Sequence, residues 1–311
     1  MKKLIVFLCI FFASSISFAE NVAYLLTASS KGDLATVKAM LQSGASANTK
    51  DAEGITALMY AARKDKADVA AALIEKGAEV NAKDQGGWTA LMFAARKNHI
   101  AAVKVLLEKG ADQKIRDESG WSAFGMASTS GYSEIVDLMI KYGVDANANA
   151  DDGKTALMYA AKSGDVATIS VLMAQGAQAN AHDRLGATAL MYAAREGHAS
   201  AVTYILSKGA KVDEQDQSRW TALTWAVKKA QVEAAKTLLA KGADIHHEDS
   251  EGTPLLQLAV DTNSEDMVKL LLENKVSVKT RDKYGLTAYV YALKKGNPEI
   301  VSMIKNAGGK Y

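Results

Sequence analysis

Cysteine is nearly missing from this 311-residue chain, which holds one, Cys9, and only two prolines, Pro254 and Pro298. A single thiol closes no disulfide within the chain, so a fold of this length rests on packing rather than on covalent staples. The scarcity of proline, with charged residues at 23% and apolar ones at 49%, excludes a proline-rich or polyelectrolyte disordered chain. Long tracts of packed helix are expected. An excess of one charge is also lacking, with 37 Lys and Arg against 35 Asp and Glu. That balance offers no broadly basic body to nucleic acid or to an acidic membrane surface. Phosphate-cradling glycine clusters are absent too, because most glycines recur singly at fixed intervals.

The apolar run from Leu4 to Phe12 falls short of a bilayer span. It follows Lys2-Lys3 and leads into small residues ending Ser17-Phe18-Ala19, the order of a secretory signal peptide cleaved after Ala19. Residues 1–19 therefore read as a signal peptide and 20–311 as the mature array. A lipid anchor at Cys9 is not expected, since Leu8 stands where the bacterial lipoprotein signal has a small residue. Cleavage removes Cys9, Lys2 and Lys3, leaving 35 basic side chains against 35 acidic ones and no membrane-binding segment. The expected compartment is the bacterial periplasm, with secretion to engage a host protein as the alternative.

What the chain does have is a motif. Gly54-Ile55-Thr56-Ala57-Leu58-Met59-Tyr60-Ala61-Ala62-Arg63 returns as GWTALMFAAR from Gly87, GWSAFGMAST from Gly120, GKTALMYAAK from Gly153, GATALMYAAR from Gly186 and RWTALTWAVK from Arg219. Looser copies begin at Gly252 and Gly285, and a degenerate one at Ala23. A fixed period of 33 residues marks a solenoid, whose units are too small to bury their own apolar faces and stack on their neighbours.

Within the unit 51–81 each residue class answers a backbone need. Gly54 supplies the positive φ of a turn. Thr56 sits where a helix N-cap hydroxyl belongs, and Ala57 to Lys64 form a short helix with Leu58, Ala61 and Ala62 inward. A second helix spans about 68–76 and stops at Gly77. Its inward column reads Leu73, Leu106, Met139, Leu172, Ile205, Leu238 and Leu271. Asp51, Asp84, Asp117, Asp183, Asp216, Asp249 and Asp282 recur in the turn and are expected to cap it from the side chain.

The pattern G-x-T-A-L-x-x-A-A, a second amphipathic helix and then K-G-A-D-V-N-A-x-D resembles the ankyrin repeat over essentially the whole mature chain. The resemblance implies an all-α solenoid of about nine helix-turn-helix repeats with β-hairpin-like fingers. It also implies protein partners rather than catalysis. One departure is that the family's histidine slot holds Met59, Met92, Gly125, Met158, Met191, Thr224, Gln257 and Val290. Apolar contacts are expected to replace the imidazole network between repeats. Gly125 within a helix marks a soft junction, Arg219 and Lys275 replace corner glycines, and Lys305 charges an otherwise apolar column as a cap facing water would.

No catalytic constellation or cofactor site is expected. Ser128, Ser130 and Ser163 have no histidine at a comparable position to act as base. His99 and His198 occupy equivalent sites where the second helix begins and read as structural. His246-His247-Glu248-Asp249 could offer a metal imidazoles and carboxylates, but neighbours in an extended arm point to opposite sides. A periplasmic metal-binding protein or enzyme using that arm is the alternative from a different class.

The resemblance places partner contacts at the finger tips and at the two positions after Ala-Ala. The tip position holds Ile55, Trp88, Trp121, Lys154, Ala187, Trp220, Thr253 and Leu286. Indoles there are either recognition residues or packing between fingers. The other positions carry Arg63-Lys64, Arg96-Lys97, Arg195 and Lys228-Lys229. One cation suits a helix C-terminus, and the doubled ones exceed that need. Together these residues predict a mixed aromatic and basic groove on a monomer, fitted to a protein or peptide with acidic and apolar groups.

Overall fold

The computed structural model describes residues 21–310, so the signal peptide expected over 1–19 and its Cys9 lie outside the described residues. Those residues form nine helix pairs. They fall into two compact units divided between Val144 and Asp145.

In the first unit a helix α1 at 21–31 pairs with α2 (Leu34–Gln42), α3 (Ala57–Arg63) with α4 (Ala67–Glu75), α5 (Ala90–Arg96) with α6 (Ile100–Glu108), and α7 (Ala123–Thr129) with α8 (Ser133–Lys141). α5 packs between α3 and α7, while α2, α4, α6 and α8 stack behind in sequence. In the second unit α9 (Ala156–Ser163) pairs with α10 (Val166–Ala174), α11 (Ala189–Glu196) with α12 (Ala199–Ser207), and α13 (Ala222–Lys228) with α14 (Val232–Ala240). α15 (Leu255–Asp261) with α16 (Glu265–Glu273), and α17 (Ala288–Lys295) with α18 (Pro298–Asn306), complete it. Its inner helices run α9, α11, α13, α15, α17, each packed on the next. Among the described residues no helix is long and apolar enough to cross a membrane.

Two columns make the core. Leu73, Leu106, Met139, Leu172, Ile205, Leu238 and Leu271 are all 0% exposed. Each contributes roughly 1.5–3 kcal/mol by leaving water. Ala61, Ala62, Ala94, Ala95, Ala160, Ala161, Ala193 and Ala194 are equally buried, and their small side chains let neighbouring inner helices approach closely. Lys305, which follows Ile74, Leu107 and Leu272 in the neighbouring column, is exposed as a cap should be.

The inner helices start as the motif predicts. Thr56, Thr89, Thr155, Thr188 and Thr221, with Ser122, accept the amide N–H three residues on. Methionines in the histidine slot are buried and also take a polar role within their own repeat. The Met59 sulfur accepts the Thr56 amide at 3.4 Å, and Met158 and Met191 do the same for Thr155 and Thr188. A thioether thus closes a reciprocal cap from inside the core.

The turn aspartates behave as expected. Oδ1 of Asp84 accepts the amides of Gly86 and Trp88, and Asp51, Asp117, Asp183, Asp216, Asp249 and Asp282 repeat the pattern. Arg219 and Lys275 take φ of 58° and 63°, so these two corners hold ordinary residues in the left-handed region. Gly125 lies against Trp121, whose ring a Cβ there would meet at 3.4 Å.

Histidine does tie repeats together, from another position. Nε2 of His99 donates to the Arg63 carbonyl at 3.0 Å and that of His198 to the Lys162 carbonyl at 3.1 Å. Gln231 does the same to Arg195 at 3.3 Å. Each reaches back 36 residues to satisfy a carbonyl at the end of an inner helix.

Candidate functional site

Several inner helices end in exposed cations. Arg63, Lys64, Arg96, Lys97, Lys228 and Lys229 are exposed. Among the described residues none of them forms an ion pair. Arg195 is half-buried, with Nε 3.7 Å from Glu196. Helix dipoles favour positive charge at these C-terminal ends.

Trp88, Trp121 and Trp220 are half-buried rather than standing free at the tips. The outermost turn residue comes two positions earlier in sequence, and there Leu185 is 66% and Tyr284 71% exposed. Trp88 leans on Phe93 with ring centroids 5.1 Å apart, and Trp220 meets Trp225 edge-on at 4.7 Å. The Arg96 guanidinium lies 5.9 Å from the Trp88 ring and that of Arg195 lies 5.0 Å from Trp225. Arg96 thus meets an indole of its own repeat and Arg195 one of the following repeat.

The partners of these indoles belong to a column the motif reading passed over. Tyr60, Phe93, Tyr159, Tyr192, Trp225 and Tyr291 stand four residues after the motif threonine. Their common offset was a visible signal. Several anchor the turn, with Tyr60 donating to Asp51 at 2.8 Å, Tyr192 to Asp183 at 2.6 Å and the Trp225 indole to Asp216 at 3.0 Å.

Two cavities open on this surface. In the first unit Trp88, Arg96 and Trp121 line one of about 310 Å3 together with Asp117, Ser119, Met126, Thr129 and Ser130. In the second unit Arg195, Trp220 and Trp225 line one of about 280 Å3 with Leu185, Ala187, Met191 and Tyr192. Arg63, Lys64, Lys97, Lys228 and Lys229 line neither.

The other candidates do not assemble a reaction site. Ser128 spends its hydroxyl on the Phe124 carbonyl and Ser163 on that of Ala160. In the His246 to Asp249 arm the His247 ring turns to the Arg219 carbonyl, and Asp249 is occupied by the amides of Glu251 and Thr253. Among the described residues no three His, Asp or Glu side chains gather at metal-binding spacing.

A family model described as Ankyrin repeats (3 copies) matches residues 25–117, 110–183, 172–249 and 223–310. Among solved structures, the crystal structure of the human ASB11 ankyrin repeat domain is similar, with a TM-score of 0.65 and 22% identity. That match covers 72% of this chain and 100% of the other, and at this identity it speaks to fold alone. No curated protein sequence matches the chain.

Proposed function

Because the chain belongs to the ankyrin repeat family, we propose that it is a non-catalytic scaffold, exported to the bacterial periplasm, that holds a protein or peptide rich in carboxylates and apolar side chains. Ankyrin repeats are protein-interaction modules, which supports the coarse part of the reading. One observation carries the finer part: exposed cations in no ion pair end α3, α5 and α13, and Arg96 and Arg195 share cavities with half-buried indoles. Indole supplies apolar area at low entropic cost, and the cation selects the sign of what lies beside it. The composition of residues 1–19 supports export, and the working unit is taken as a monomer.

The test is capture from a periplasmic extract on immobilised full chain. A variant with Arg63, Lys64, Arg96 and Lys97 all changed to Gln should lose the captured partner at unchanged thermal stability. Trp88→Ala with Trp121→Ala should do likewise. Binding that ignores the Gln variant, or that does not weaken between 0.15 M and 0.5 M salt, contradicts an acidic partner. Fractionation of cells producing the full-length chain checks the compartment, and elution on a sizing column checks the monomer.

A further inference from the structure

We propose that the cavity between the fingers at 183–187 and 216–220 takes one large apolar side chain of an extended peptide, and that Arg195 receives a carboxylate on the residue next to it. The inference rests on the proposed function and narrows it to one subsite and one sequence chemistry.

Size comes first. At about 280 Å3 the cavity lies at or below the roughly 300–1,000 Å3 of small-molecule sites. It suits a single side chain rather than a cofactor. Its lining is apolar, from Ala187, Met191, Trp220 and Trp225. Leu185 stands at the rim and is 66% exposed, apolar area that an occupant would cover.

Most of the polar groups around it are already used. Asp216 accepts the amides of Ser218 and Trp220 on one oxygen, at 2.8 and 2.9 Å, and the Trp225 indole N–H on the other, at 3.0 Å. The Tyr192 hydroxyl is committed to Asp183, and the Gln217 amide donates to the Arg184 carbonyl at 2.9 Å. A polar guest would lose its water and gain little, which selects an apolar one.

Arg195 is the exception. Its guanidinium rests on the Trp225 ring, and its one ion pair is a 3.7 Å contact to Glu196 with both side chains over a third exposed. Such a pair holds the cation weakly. Arg195 is thus the cation that borders the cavity, while the carboxylate in its lining, Asp216, is already taken by three N–H groups. The cavity by Trp88 is less apolar, with Met126 where this one has Trp225 and with Thr129 and Ser130 added to its lining.

Four blocked hexapeptides test the idea, identical except for a central pair: leucine-glutamate, leucine-glutamine, leucine-lysine or serine-glutamate. Binding to the full chain is followed by the NMR signals of the indole N–H groups. The leucine-glutamate peptide should move the Trp220 and Trp225 signals and leave Trp88 and Trp121 in place. The glutamine and lysine versions should bind about tenfold more weakly or worse, as loss of a charge-assisted contact implies. Arg195→Gln should abolish the preference for glutamate over glutamine. Leu185→Ser, at an exposed site where folding is not at stake, should weaken every leucine peptide.

Serine-glutamate binding as well as leucine-glutamate, shifts confined to Trp88 and Trp121, or no shift at Trp220 and Trp225 up to the solubility limit would each overturn the proposal. If capture from the extract survives Arg195→Gln and Leu185→Ser while no peptide moves these signals, the subsite fails and the scaffold stands. If peptides enter but nothing is captured, the reverse holds.

Discussion

The Tyr192 hydroxyl donates to the Asp183 carboxylate at 2.6 Å, joining the middle of α11 to the turn that precedes it. The other oxygen of Asp183 takes the amides of Leu185 and Ala187 at 2.8 and 2.9 Å. One carboxylate therefore fixes both the finger and its angle to the helix.

Tyr192→Phe should cost about 1–3 kcal/mol, since it leaves an acceptor of the 9% exposed Asp183 without a partner. Urea unfolding at pH 7 measures it. A loss below about 0.5 kcal/mol would mean that the pair contributes no more than an ordinary surface contact.

The same pair sets an alkaline limit. Burial first, and then the bond to Asp183, push the Tyr192 phenol well above its ordinary range. A group whose folded pKa is raised contributes stability in full below the unfolded value, about pH 10, and loses it as pH climbs through the folded one. Stability should fall above pH 10, and the fall should be shallower in Tyr192→Phe. Equal slopes for the two proteins would show that Tyr192 titrates as it does in the unfolded chain.

At acid pH the sign reverses for Asp282. Burial works against its ionisation, but the Tyr291 hydroxyl and the amides of Leu286 and Tyr284 outweigh it and hold the carboxyl below its ordinary value. That contribution is present above the unfolded pKa and is lost as pH drops through the folded one. Asp282→Asn should therefore flatten the loss of stability between pH 5 and pH 2, as thermal melts across that range would show.

Arg219→Gly should raise stability by about 0.5–1 kcal/mol. A side chain at φ 58° is strained against its own backbone, while the amide to Asp216 and the carbonyl to His247 are kept. A higher melting temperature is the expected reading. Destabilisation would place the value of this residue in its side chain.

Met191→Leu conserves volume and apolarity yet should cost about 1 kcal/mol, because the buried Thr188 amide loses the sulfur it donates to at 3.4 Å. Chemical denaturation decides it. A neutral result would assign the slot to packing alone.

Much of this fold was legible because it is local. A threonine caps its own helix and an aspartate its own turn, so both leave the same mark every 33 residues, and the Leu73 column follows from helical spacing within one unit. The thioether cap was not legible, since methionine in a core slot reads as filler until its sulfur is placed against an amide. Nor was the reach of His99 and His198, whose partners lie a full repeat and more behind them.

The candidate surface divides in the same way. Its residue types were readable from the motif: tryptophan beside the finger, cations after Ala-Ala. Which cations stand beside an indole, and which residue is outermost, depended on the neighbouring finger and helix. Trp220 turned inward to Trp225 while Leu185, in an unremarked column, became the exposed rim.

The sequence alone determined the repeat, its helices, its core columns and the chemistry available at each inner-helix end, because short-range hydrogen bonds and apolar spacing are written in the order of residues. Only the tertiary structure decided which side chains share a cavity and which charges remain unpaired. Those outcomes come from contacts between residues about a repeat apart, and every orientation there is set by what the neighbouring repeat leaves room for.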